Sequence, residues 1–183
     1  MSLRVTSALI LFVCLPAVVA FAWLYSGRYP IGADVPHFQL TTSLLTLLRE
    51  KSIARAARDI VPPNDLDTPA RLLAGGADYN EMCSQCHLKP GKVQSDFSLG
   101  LYPAPPNLTT ARPATETPVK KQKKRFWVIK HGIKASGMPA WKYGHDDERI
   151  WNMVAFLDRL PELSADQYQV LTARIKHSTS HHH

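Results

Sequence analysis

Cysteine is scarce in this chain, three in 183 residues, and that scarcity excludes a good deal. A disulfide-stapled secreted scaffold needs several pairs, whereas here Cys14 sits inside an apolar run and only Cys83 and Cys86 stand close together. A zinc site built on that pair would need two further ligands, and the remaining cysteine is the one in the apolar run. A thioredoxin-like redox pair follows a strand, but the residues before Cys83 read as helix. Acidic residues are also thin in one place. Residues 112–134 hold eight Lys or Arg against Glu116 alone. No stacking platform or recognition motif accompanies that charge, which points away from nucleic acid.

Long hydrophobic runs are limited to one. Residues 8–25 form an uncharged, largely apolar run of 18 residues behind a short start carrying Arg4, close to the roughly 20 that a membrane-spanning helix needs. Two readings are open. A cleaved signal peptide would use Ala20-Phe21-Ala22 as its small-residue site. An uncleaved anchor fits better, because the run continues through Trp23, Leu24 and Tyr25, aromatics suited to a membrane interface. Val13 is too bulky for lipid attachment at Cys14, which reads as an apolar residue of the anchor.

Gly27, Pro30, Gly32 and Pro36 then make an irregular exit. Residues 38–60 read as an amphipathic helix, with Leu40, Leu44, Leu47 and Leu48 at helical spacing and Arg49, Glu50, Lys51, Arg55, Arg58 and Asp59 as its wet side. Three roles are open to it: lying on a membrane surface, docking a partner subunit, or packing as a spacer on the next domain. His37 is open to a ligand role but reads rather as a solvated loop residue. Val61-Pro62-Pro63 closes the helix, since a residue before proline is pushed out of helical geometry. The expected divisions are 1–27 anchor, 28–63 linker and amphipathic helix, 64–163 main domain, and 164–183 short helix and tail.

The main domain is organised around Cys83-Ser84-Gln85-Cys86-His87. C-x-x-C-H is the pattern of covalent haem attachment: two thiols three positions apart on one helical turn can reach the two vinyl groups along one haem edge. The histidine that follows can give Nε2 to iron if a partner fixes its other nitrogen. Downstream stand Pro106-Asn107-Leu108 and then Gly132, Gly137, Met138, Pro139, Ala140 and Trp141.

These three pieces, in this order, resemble the class I monohaem c-type cytochromes over roughly residues 69–160. The resemblance implies an all-α, cytochrome c-like haem domain, here preceded by one transmembrane helix and the amphipathic helix. It implies one haem c on Cys83 and Cys86, iron ligated by His87 and Met138, and the Pro106 carbonyl receiving the Nδ1 proton of His87. Trp127, with Ile129, would line the haem or pack beneath the methionine loop. Gly75 or Gly76 with Tyr79 would form the contact at which the first helix crosses the last. His131 is the competing sixth ligand, and Tyr102 is open to a haem contact or to ordinary packing.

Asp67 or Thr68 caps the first helix with Pro69 in its first turn. The loop after His87, rich in proline, is expected to hold little regular structure. Lys120, Lys121, Lys123, Lys124 and Arg125 open a helix ending at Gly132. Positive charge there opposes the helix dipole, so the cluster is expected either to dock an acidic redox partner or to be a solvated face. Asp146, Asp147 and Glu148 start a helix whose apolar face is Ile150, Trp151, Val154 and Leu157. Ser164 opens another with a capping box, sharing Tyr168, Leu171 and Ile175 on one face. His181, His182 and His183 read as a tag remnant or tail.

With both axial positions filled, iron has no open site, so the expected role is single-electron transfer without catalysis, as a tethered shuttle or a subunit of a respiratory or dehydrogenase complex. The resemblance places the haem domain in the periplasm of a bacterium, anchored to the inner membrane. The alternative is a haem enzyme or gas sensor in which Met138 is absent from the iron or leaves it, although no distal acid/base pair is evident.

Overall fold

The computed structural model describes residues 3–111, 113 and 115–173, with only the backbone of residues 3–10. Arg112, Ile175 and the histidine tail lie outside the described residues. The chain divides into two compact units, Met1–Val35 and Pro36–His183.

The first unit is helix α1, Leu3–Tyr25, with Pro16 inside it. Ser26 Oγ donates to the Trp23 carbonyl at 2.6 Å, and Gly27, at φ +66°, ends the helix. Among the described residues no helix is long and apolar enough to cross a membrane. The expected transmembrane helix is therefore not shown.

The second unit is helical, with no strand among the described residues. It opens with α2, Gln39–Ala56, shorter than expected because the chain turns at Ala57–Ile60 ahead of the two prolines. Helix α3, Pro69–Asp78, has Thr68 as its extended first cap residue and proline at its first position, where a missing N–H costs nothing. A π-helical turn, Tyr79–Cys83, joins it to α4, Ser84–His87. Helix α5, Asp96–Gly100, corrects the expectation of an irregular loop: Ser95 and Ser98 close a capping box around this single turn. Helix α6, Pro118–His131, is capped by Thr117, and α7, Asp147–Arg159, by Asp146. Helix α8, Ala165–Thr172, carries the expected capping box of Ser164 and Gln167.

The core forms where α3 crosses α7. A Cβ on Gly75 would overlap the backbone of Asn152, and one on Gly76 would lie 2.6 Å from the Leu171 carbonyl and 3.0 Å from the Phe156 ring. Only glycine permits that approach. Tyr79 stands beside Phe156, ring centroids 5.4 Å apart, so both expected glycines and the expected tyrosine are at the crossing. Helix α7 buries Ile150, Trp151, Met153, Val154, Phe156 and Leu157, each worth about 1.5–3 kcal/mol for the larger apolar side chains. Helix α6 joins through Phe126, which stacks on Trp151 at 4.2 Å. Two ion-pair sets lock the crossing. Buried Arg71 reaches Asp65 at 3.0 Å, Glu148 at 2.9 Å and Asn152 Oδ1 at 2.9 Å. Arg149 grips Asp78 with two nitrogens, at 2.6 and 2.8 Å, a paired geometry that only a guanidinium supplies.

Helix α2 packs on this domain. Its start is held by Tyr102, whose hydroxyl accepts from His37 N at 3.2 Å and contacts Thr42 Oγ1 at 3.5 Å. His37 is half-buried, edge-on to the Tyr102 ring at 5.1 Å. The far end of α2 buries Ile53 and Ala57, and Lys123 Nζ donates to the Arg58 carbonyl at 3.0 Å. The leucine stripe of α2 is not the packed face: Leu40, Leu44, Leu47 and Leu48 are all exposed.

Candidate haem site

The π-helical turn delivers Cys83, and α4 carries Cys86 and His87 on its single turn. Leu88, at φ +69°, breaks the helix directly after His87. Tyr79 fixes that break, its hydroxyl donating to the Leu88 carbonyl at 2.6 Å. Both cysteines are half-buried and are not joined to each other by a disulfide. Burial pushes the Cys83 thiol up to about 12, with Asp78 and Cys86 adding to the shift. A reactive redox thiol needs the opposite shift, which Cys83 does not have.

His87 Nδ1 lies 2.8 Å from the Pro106 carbonyl. A carbonyl can only accept, so Nδ1 carries the proton and Nε2 is the nitrogen left to bind metal. A second link, Leu108 N to the His87 carbonyl at 3.2 Å, closes the same loop. Burial holds the His87 imidazole below the usual histidine range, with the Pro106 carbonyl pulling the other way. The expected role of Pro106 toward His87 thus has its geometry.

Met138 belongs to the apolar cluster that also takes in Met82, Cys83, Leu108 and Trp141. Its backbone is held at both ends: its N–H donates to Ser136 Oγ at 3.1 Å, and its carbonyl accepts from Ile133 N at 3.1 Å. Gly132, at φ +66°, ends α6 and lets the loop fold back on itself, and Gly137 leaves room for Leu101, whose Cδ2 a Cβ would meet at 2.7 Å. Ser136, Leu101 and Tyr79 were not singled out for the site from sequence. Their contacts are long-range or backbone-directed and leave no local signature.

Trp127 is half-buried and stacks on His131, ring centroids 4.9 Å apart. From α6 it is Phe126 and Ile129, not Trp127, that are buried in the core. His131 is exposed. His145, unmentioned by the motifs, lies with Nε2 3.2 Å from Met82 Sδ and its ring edge-on to Trp141 at 5.1 Å. The lysine cluster is largely engaged: Lys124 and Lys120 pair with Glu116 at 2.5 and 3.3 Å, and Lys123 is the one tied to α2. Lys123 thereby sets a cation at the carbonyl end of α2, the favourable sign for that helix's dipole. Lys121 alone of the four has no such tie among the described residues.

Two unpaired thiols on one turn, an imidazole with its Nδ1 proton already assigned, and a methionine on a braced loop fit a covalently held haem. Residues 70–157 match the family described as cytochrome C oxidase, cbb3-type, subunit III. Residues 70–157 are a c-type cytochrome domain, which carries covalently bound haem c. No curated protein and no solved structure matches the chain.

Proposed function

We propose that this cytochrome is a membrane-tethered periplasmic carrier of single electrons, in which Cys83 and Cys86 would hold the haem and His87 and Met138 would ligate its iron. The observation that carries the reading is the 2.8 Å contact between His87 Nδ1 and the Pro106 carbonyl, which leaves Nε2 as the nitrogen for iron. Bound haem supplies a one-electron iron couple. The residues of the chain do the rest: Pro106 fixes the histidine tautomer, and the Ser136 and Ile133 contacts steady the Met138 backbone. Thioether ligation favours a raised potential, and the apolar cluster around Met82, Leu108 and Trp141 limits water.

Helix α1 is the proposed anchor. It spans 23 residues, about 35 Å at 1.5 Å per residue, and carries large exposed apolar side chains such as Leu11, Phe12 and Leu24. An apolar surface of that kind needs a cover. The family that residues 70–157 match is named for an oxidase subunit, which supports service to a terminal oxidase, as a bound subunit or as a shuttle.

An acidic redox partner docking at the lysine cluster is the weaker part of the reading. Lys120, Lys123 and Lys124 are already engaged, and the helical rise puts Lys121 about 16 Å along α6 from Gly132 at the methionine end.

Optical spectroscopy of the oxidised and reduced protein beside Met138→Ala tests the ligation. The expected outcome is a weak far-red sulfur-to-ferric-iron band in the native protein, lost in the variant together with a fall in reduction potential. An unchanged spectrum in Met138→Ala, or rapid carbon monoxide binding by the reduced native protein, overturns the carrier reading in favour of an open or differently ligated site.

A further inference from the structure

Helix α2 presents two opposed faces. One is committed to the haem domain: Thr42 toward Tyr102, with Ile53 and Ala57 buried near α6. The opposite face carries Leu40, Leu44, Leu47 and Leu48, exposed to 70%, 57%, 55% and 66%. Their spacing of i, i+4, i+7 and i+8 puts them on one stripe. The same stripe continues at i+11 and i+15 through Lys51 and Arg55, and it carries no acidic side chain between Leu40 and Arg55. Beside its basic end lies a groove of about 310 Å³, with Ala54, Ala57 and Val119 among its lining and Arg58, Lys120 and Lys123 around them.

We propose that this face of α2, together with the basic start of α6, is a docking surface for a membrane rich in anionic phospholipid. The leucines enter the boundary between headgroups and acyl chains, and Lys51, Arg55, Arg58 and Lys121 lie among the phosphates. Two observations select lipid as the occupant. The stripe changes from apolar to purely basic along its length, which matches an anionic interface, where basic residues lay their stems along apolar surface and keep their charge among the headgroups. A protein partner would need an acidic patch continuous with an apolar ridge. Only residues 26–38 separate α1 from α2, a length that reaches at most about 45 Å when fully extended; this second argument rests on α1 being the anchor.

The consequence concerns orientation. Tyr102 holds the leucine end of α2, and Leu101, next to it, touches Gly137 beside Met138. Docking through the leucines therefore brings the methionine end of the haem domain toward the bilayer and leaves the basic groove at the other end of the same helix.

The test uses the full-length, haem-loaded chain with Cys14→Ser and Leu44→Cys. The haem cysteines are consumed as thioethers, so an environment-sensitive dye labels position 44 alone. Thr46→Cys, nearly opposite on the helix, is the reference. In nanodiscs containing phosphatidylglycerol, the label at 44 is expected to shift to the blue and to be quenched by spin-labelled lipid, with little change at 46. Neutralising Lys51, Arg55 and Lys121 should lower binding of the α2 face about fivefold per charge. Retention of the protein by zwitterionic discs reports α1 separately. If α1 fails as an anchor, flotation of the same labelled chain with phosphatidylglycerol vesicles gives the α2 readout. A label at 44 that stays water-exposed on anionic lipid overturns the proposal. So does a blue shift that depends on protein concentration, which indicates a second copy, or one that appears only when a partner protein is added.

Discussion

Gly132 and Met138 meet backbone to backbone: a Cβ on Gly132 would lie 2.7 Å from the Met138 carbonyl oxygen and 2.8 Å from the Ala140 nitrogen. The glycine also adopts φ +66° and ψ −170°, a region open essentially to glycine alone and worth about 1–3 kcal/mol of strain for any other residue. Gly132→Ala is expected to push the methionine loop off its seat. The far-red band should weaken, and the reduced protein should begin to bind carbon monoxide. Gly144→Ala, where a Cβ meets nothing within 4 Å, should leave both unchanged.

The crossing of α3 and α7 should be the most sensitive point for stability. Gly75→Ala forces a methyl group into the Asn152 backbone, and neither helix can yield without disturbing the buried side chains of α7. A loss of about 3 kcal/mol is expected, read as a lower denaturant midpoint at unchanged slope. Gly100→Ala, with open space around it, is the matched control.

Tyr102 ties α2 to the loop that carries Pro106. Removing its hydroxyl in Tyr102→Phe leaves the His37 N–H without that acceptor, at a cost of about 1 kcal/mol. Faster amide hydrogen exchange confined to the first turns of α2 is expected, with the haem spectrum unaltered. A shifted spectrum would instead assign Tyr102 to the haem.

Acid sensitivity should trace in part to His145. Burial holds its imidazole below the ordinary 6.5, and Arg149 pushes the same way, while Asp78, the Trp141 backbone and Asp146 oppose. A lowered folded value means that the unfolded chain binds the proton more readily, so this contribution to stability is complete above about pH 6.5. It is lost as pH falls from there through the folded value, and then levels off. Thermal unfolding followed from pH 7.5 down to 5 should show this decline, and His145→Leu should make it shallower.

What could be read from sequence was what local chemistry dictates. The C-x-x-C-H turn, the caps at Asp146 and Ser164, and the proline and glycine boundaries of α6 each depend on residues a few positions apart. The link between Pro106 and His87 was legible only through the family resemblance, since nothing local joins residues 19 apart. The use made of long polar side chains stayed hidden. Arg71 finds Glu148 and Asn152, Arg149 finds Asp78, and Lys123 finds the end of α2, all across sequence gaps that periodicity cannot see. The leucines of α2 left their role open for a related reason. Their spacing correctly marks one face of a helix, but spacing does not say whether the domain or another apolar medium covers it. The turn at α5 was missed because one helical turn fixed by two serines has no apolar period to detect.

All the groups assigned to the haem lie between Gly75 and Asn152, the two positions where α3 and α7 close on each other. A single backbone cut between α5 and α6, after Thr110, would leave two fragments. The first holds α3, Cys83, Cys86, His87 and Pro106; the second holds Met138 and α7. Each fragment thus brings one helix of the crossing and one axial ligand, so the halves should stay together after nicking and should rebuild a ligated cytochrome when mixed.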